Sequence, residues 1–106
     1  MIVNFDKEYL RDLYATGKSS DKKHRFQPQI IKKYIYVINL MVAQDSVLGL
    51  QKYNSLNYEH LQGDKDGISS VRVNDQYRIE FTETIEDGQQ VATVCNIVEL
   101  SNHYKK

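Results

Sequence analysis

The feature that most constrains this chain is a change of hydrophobic period near Gly67. Upstream, apolar residues recur three and four apart; downstream, they alternate with polar ones through ISSVRV, YRIEFTET and QQVATVCNIVEL. Spacings of three and four gather side chains on one helix face, whereas alternation gathers them on one sheet face. Helices ahead of a run of strands predict an α+β fold, with two N-terminal helices packed on one face of an antiparallel sheet.

Within the helical half, Ile2 to Phe5 reads as a short edge strand. Asp6 then suits a helix N-cap, with Phe5 stapled across it to Leu10. Leu10, Leu13 and Tyr14 share one face of the first helix, and Gly17 supplies the left-handed residue that ends it. Pro28 suits the first turn of a second helix. There Ile30, Ile31, Tyr34, Ile35, Ile38, Met41 and Val42 form an apolar stripe opposite Gln29, Lys32, Lys33, Tyr36 and Asn39. Residues 45–67 are less periodic and fit either a short helix or an ordered loop. The predicted order is β-α-α-β-β-β in a single domain, residues 1–106.

Asn74-Asp75 and Asp87-Gly88 supply turns between the strands. The first hairpin carries a parity constraint, because Val71 and Val73 must share a face with Tyr77, Ile79 and Phe81. Only an odd loop permits this, so Val73 is expected opposite Tyr77 and Val71 opposite Ile79. On the other, exposed face Arg72 then lies opposite Arg78. Like charges so placed cost a few tenths to about 1 kcal/mol, so something must compensate. Glu80, opposite Ser70 and diagonal to Arg72, can neutralise one guanidinium. Alternatively the pair is held open for an anion, since guanidinium forks match phosphate oxygens. Both can hold together, with Glu80 orienting one arginine.

Composition removes several function classes. A 106-residue chain that is 41% hydrophobic can bury a compact core without staples. No apolar run nears the roughly 18 residues of a membrane span, and MIVNFDKEYLRDL turns charged too early for a signal peptide. A lone Cys95 allows neither an internal disulfide nor a cysteine-rich zinc site, so a soluble cytoplasmic protein is expected, with Cys95 a buried small hydrophobe. The 14 basic and 14 acidic side chains cancel, which argues against a uniformly basic nucleic-acid binder. The average hides an asymmetry, because Lys18, Lys22, Lys23, Arg25, Lys32 and Lys33 face Asp21 alone. Such a segment is either a solvated loop and helix face or a patch that steers a polyanion.

Two stretches, LQGDKDGISSVRVNDQYRIEF (Leu61 to Phe81) and NIVELSNHYKK (Asn96 to Lys106), resemble the HigB branch of the RelE/ParE superfamily of type II toxins. The shared pattern is Leu-x-Gly with charged turn residues, Ser-x-Arg-Val-Asn, aromatic-Arg-Ile-x-Phe and a C-terminal histidine. The helical half fits in length and order but not by motif.

The resemblance implies a RelE-like toxin domain that cleaves mRNA in the A site of the 70S ribosome. It implies no metal or other cofactor, no membrane and no direct DNA binding by the toxin alone. It also implies silencing by a HigA-like antitoxin with a helix-turn-helix. In the family's reaction the ribose 2′-hydroxyl attacks the adjacent phosphate, leaving a cyclic phosphate and a new 5′-hydroxyl. A base takes the 2′ proton, an acid protonates the leaving oxygen, and cations stabilise the charge on phosphorus. DNA lacks the nucleophile.

Carried over by position, Arg78 would hold the scissile phosphate, with Arg72 beside it. His103 would act as acid or base, since imidazole serves either role near neutral pH; the plain alternative is a solvated tail histidine. Tyr104 would stack on a base or anchor the tail, and Lys22, Lys23 and Arg25 would contact ribosomal RNA. Family members often carry a histidine two residues before Leu-x-Gly; here that position is Glu59, with His60 one residue late. Glu59 by direct substitution, or His60 after a local shift, fits the base. The family's Asp-Tyr-His ending is Ser101-Asn102-His103 here. Two other functions suit the same scaffold: a ParE-like inhibitor of DNA gyrase, which needs no acid-base group, and a weakly active module kept for partner binding.

Overall fold

The computed structural model describes residues 1–19 and 21–102. Its elements are β1 (Ile2–Phe5), α1 (Glu8–Thr16), α2 (Pro28–Ala43), β2 (Glu59–His60), β3 (Ser69–Arg72), β4 (Tyr77–Thr84) and β5 (Val94–Asn102). Short 3-10 turns at Val47–Lys52, Asn54–Leu56 and Gly63–Lys65 fill the less periodic region. The strands form one sheet in the order β1-β5-β4-β3-β2. The expected α+β layout is present with β1 at the sheet edge, and two details are added. β1 runs parallel to β5, and Glu59–His60 contributes a further antiparallel strand beside β3.

The helices pack on one sheet face, where Leu10, Leu13, Tyr34, Val37, Ile38 and Met41 meet Val71, Ile79, Phe81, Cys95 and Ile97 in a buried core. The buried Tyr34 hydroxyl donates to the Leu10 carbonyl at 2.8 Å, tying α2 to α1. Burial pushes the Tyr34 hydroxyl well above its usual value, so it stays a donor. Cys95 is buried, as expected. Among the described residues no helix is long and apolar enough to cross a membrane.

Several sequence expectations need correction. Lys7, not Asp6, is the N-cap of α1, and no side chain caps it. The Asp6 N–H still donates to the Ile97 carbonyl at 2.8 Å, so the strand geometry of β1 persists there and the helix starts later. Phe5 stacks on Tyr14 with ring centroids 5.5 Å apart. Gly17 does end α1, with φ 73°. In α2 the buried arc includes Val37 and excludes Val42, which is 45% exposed at the rim of the stripe. β5 begins at Val94 rather than near Gln89. The Ala92 carbonyl instead accepts the Val47 N–H at 3.0 Å, drawing residues before Val94 out of the ladder toward the 3-10 turn.

The hairpin register follows the parity argument, with Val71 opposite Ile79, Arg72 opposite Arg78 and Ser70 opposite Glu80. The Val73 N–H closes the loop on the Tyr77 carbonyl at 2.9 Å. The face carrying the arginines is less open than expected: Glu80 is only 7% exposed and Ser70 1%. β2 and the Gly63–Lys65 turn, added beside β3, bring Glu59, Leu61 and Lys65 around these residues.

Candidate active site

A cleft of about 240 Å³ opens on the sheet face away from the core, lined by Glu59, Leu61, Lys65, Ser70, Arg78, Glu80, Ser101 and Asn102. Strand alternation explains the membership. Ser70, Arg78, Glu80 and Ser101 point away from the face that buries Val71, Ile79 and Leu100. β5 contributes because a bulge at Glu80/Phe81 lets Ile97 and Leu100, three apart, both face the core. The bulge leaves Glu99 opposite Glu80 and Ser101 opposite Arg78.

The charges are arranged differently from the sequence expectation. Glu80 pairs with neither arginine; Lys65 donates to its Oε2 at 2.7 Å. A nearly buried carboxylate requires such a partner, since an uncompensated charge there is costly. Arg72 pairs instead with Asp75 in the hairpin turn. Asp75 is 86% exposed, so this pair contributes little. Among the described residues Arg78 hydrogen-bonds only to backbone, its Nη1 donating to the carbonyls of Asn74 at 2.6 Å and Tyr77 at 3.1 Å. Its charge therefore meets no carboxylate among the described residues. Those two bonds fix one arm of the fork and leave the guanidinium cationic in the cleft wall. The Ser70 hydroxyl, also in the wall, has no hydrogen-bond partner among the described residues.

Glu59 and His60 separate cleanly. Glu59 lies opposite Ser70 and lines the cleft, while His60, opposite Ser69, turns to the other side of the sheet and bonds Ser69. Adjacent strand residues face opposite ways, so only one can meet Arg78, and that one is Glu59. His103 and Tyr104 lie outside the described residues.

A second cleft of about 470 Å³ shares Lys65, Ser101 and Asn102 with the first and reaches Tyr9, Lys23, His24, Arg25, Phe26, Tyr77 and Glu99. It wraps around β5 where β1, paired only with residues 94–97, no longer covers the strand. The basic connection is anchored by alternate residues. His24 stacks on Tyr9 at 3.7 Å and bonds Asp21 at 2.8 Å; Phe26 meets Tyr77 edge-on at 5.6 Å. The Lys23 backbone N–H and His24 together hold the Asp21 carboxyl below its ordinary value. Lys23 and Arg25, on either side of His24, stay exposed on the cleft wall; Lys22 is exposed outside both clefts. The cleft that holds Arg78 and Glu59 thus adjoins the cleft of the basic loop across Lys65, Ser101 and Asn102.

Lys65 and Glu99 were missed in the sequence reading. Lys65 sat within the charged turn of the Leu-x-Gly motif without a role. The break in alternation between Ile97 and Leu100 was the available signal for the bulge that places Glu99.

Comparison with known proteins gives a consistent picture. The profile of the RelE-like toxin of type II toxin-antitoxin system HigB matches residues 3–96. Toxin HigB-1 of Vibrio cholerae serotype O1 is 30% identical over 82 residues, covering 76% of this chain and 82% of that protein. The fold is similar to a YoeB/ParE toxin from Agrobacterium tumefaciens, with TM-score 0.59 and 16% identity over 98% of this chain and 100% of that one. It is similar too to YafQ from E. coli, with TM-score 0.59 and 12% identity over 95% and 91% of the two chains. A third likeness is to a heterotetrameric YoeB-YefM toxin-antitoxin complex from Staphylococcus aureus, with TM-score 0.55 and 16% identity over 98% of both chains.

Proposed function

The chain belongs to the RelE-like HigB toxins of type II toxin-antitoxin systems, and we propose that it is an endoribonuclease that cuts mRNA in the ribosomal A site. The observation that carries this reading is Arg78, a cation in the cleft wall whose hydrogen bonds among the described residues all go to backbone carbonyls. A guanidinium so held suits a phosphate that gains charge during reaction, because it needs no reorganisation to stabilise it.

In this reading Arg78 receives the scissile phosphate between Glu59 and the end of β5. Glu59 takes the 2′-hydroxyl proton, and the freed oxygen attacks phosphorus. The P–O5′ bond breaks as the cyclic phosphate forms, and His103, the residue after Asn102, returns a proton to the leaving 5′ oxygen. Arg72 joins the phosphate by giving up its weak exposed pair with Asp75. Lys65 adds positive charge while remaining tied to Glu80. Tyr104 stacks on a base. Lys22, Lys23 and Arg25 hold ribosomal RNA, with Lys23 and Arg25 set beside the cleft by the anchored loop. The chain works in the cytoplasm, and a HigA-like antitoxin silences it. The toxin-antitoxin assembly of the structurally similar S. aureus protein supports such a partner.

The test is primer extension on a defined messenger in reconstituted translation, with and without ribosomes. Cuts at A-site codons that require ribosomes and leave 2′,3′-cyclic phosphate ends are expected. No cutting, with translation intact, overturns the nuclease reading and directs the search to gyrase.

A further inference from the structure

β2 is a weak element in an important place. It has two residues at the sheet edge, both exposed, pairs with β3 through Glu59↔Ser70 and His60↔Ser69, and gains one further backbone bond from the Leu61 N–H to the Ile68 carbonyl at 2.8 Å. Left-handed residues bracket it, Asn57 at φ 45° and Gly63 at φ 70°. An edge ladder this short is weak on its own. Side-chain contacts that pin it add directly to how firmly Glu59 is turned toward the cleft.

On the other side of the sheet, four polar side chains converge. The Ser69 hydroxyl donates to Glu83 Oε2 at 2.7 Å and lies 3.0 Å from His60 Nδ1. The Tyr58 hydroxyl donates to the same Glu83 oxygen and lies 3.4 Å from His60 Nε2. The Tyr58 ring meets the His60 ring edge-on at 5.4 Å and stacks on Phe81 at 6.3 Å. Ser69 has one proton and gives it to Glu83, so its oxygen accepts, and His60 must carry its proton on Nδ1. Burial and the Glu83 carboxylate push the Tyr58 hydroxyl well up, so Tyr58 remains a donor.

We propose that His60 is a positioning residue for Glu59, acting through the Ser69-Glu83-Tyr58 network on the face opposite the cleft. This rests on the reading of Glu59 as the base. The mechanism is the two-residue period of the strand: whatever pins His60 to one face holds Glu59 on the other. His60 itself touches no substrate.

The experiment measures ribosome-dependent cleavage under steady-state conditions for His60→Ala, His60→Asn, Glu59→Gln and the double variant His60→Ala/Glu59→Gln, with thermal midpoints to confirm folding. His60→Ala is expected to lower kcat about 10- to 100-fold with KM unchanged, since displacing a reacting group by an ångström costs that much. His60→Asn, whose amide reaches Ser69 in place of Nδ1–H, is expected to recover most of the loss. The double variant is expected to be no slower than Glu59→Gln alone. If His60→Ala slows the Glu59→Gln background by its full factor, or His60→Asn fails to rescue, the positioning role is overturned and the base assignment stands. If Glu59→Gln cleaves like the wild type, the base assignment itself fails and the positioning role with it.

Discussion

The two faces of the β3–β4 hairpin share one backbone and one register, yet they are built to different rules. On the core face Val71 meets Ile79, and Phe81 packs beneath α1 and α2, with all three fully buried. On the cleft face Arg72 meets Arg78, and Glu80 has Ser70 on one side and Glu99 on the other. The core pairs lower the free energy of the sheet. The cleft pairs set like charges against each other and need Lys65 and Asp75 to compensate. A sheet selected for stability alone has no reason to keep two arginines abreast. The contrast sets the fold's stability on one face and the proposed chemistry on the other.

That separation can be broken from either side. The largest effect is expected for Ile38→Ala, which empties a fully buried site on α2 and should cost about 2–5 kcal/mol in chemical denaturation. Molecules that remain folded should still cut at close to the wild-type rate. On the cleft face, Lys65→Ala removes the partner of a nearly buried carboxylate. It should cost about 1–3 kcal/mol, less than a fully buried pair because Lys65 is itself half exposed. Glu80→Gln in the same background should recover much of this loss, which a double-mutant cycle will measure.

A pH titration probes the core face. Burial pushes the Cys95 thiol from an ordinary 9.0 up to about 12. Between those values the unfolded chain has released the thiol proton and the folded chain has not. Stability from this group is therefore complete below about pH 9 and declines as pH rises toward 12. Cys95→Ala should flatten that alkaline decline in denaturation curves. The smallest effect has the opposite sign: Arg72→Thr relieves the like-charge pair and should raise stability by a few tenths to about 1 kcal/mol. A loss of stability instead would mean that the Arg72–Asp75 contact contributes more than its exposure suggests.

The same contrast explains what was legible in the sequence. Alternation, helical spacing and odd-loop parity all report which side chains are buried, so the layout, the edge strand, Gly17 and the hairpin register could be read directly. Parity alone sets Arg72 against Arg78. It carries no information on which charge takes which partner, because alternation reports which face a residue is on and not where a long charged side chain reaches. Glu80 found Lys65 through a turn that no periodicity marks, and Arg72 found Asp75 in its own loop. The choice between Glu59 and His60 was open for a related reason. A two-residue strand is too short to show alternation, and only its pairing with β3 assigns the two residues to opposite faces. The late starts of α1, capped at Lys7 rather than Asp6, and of β5 reflect backbone hydrogen bonds to distant segments, which local propensity does not register.

The most direct test of the account compares single-turnover cleavage of ribosome-bound mRNA by the wild type and Arg78→Ala, with thermal midpoints measured on the same samples. The account requires cleavage to fall at least about 100-fold, as for removal of a transition-state donor. The midpoint should fall only modestly, since the two bonds from Arg78 to the carbonyls of Asn74 and Tyr77 are lost while its opposition to Arg72 is relieved. Cleavage at the wild-type rate, or a loss that merely tracks unfolding, would contradict the assignment of chemistry to this face.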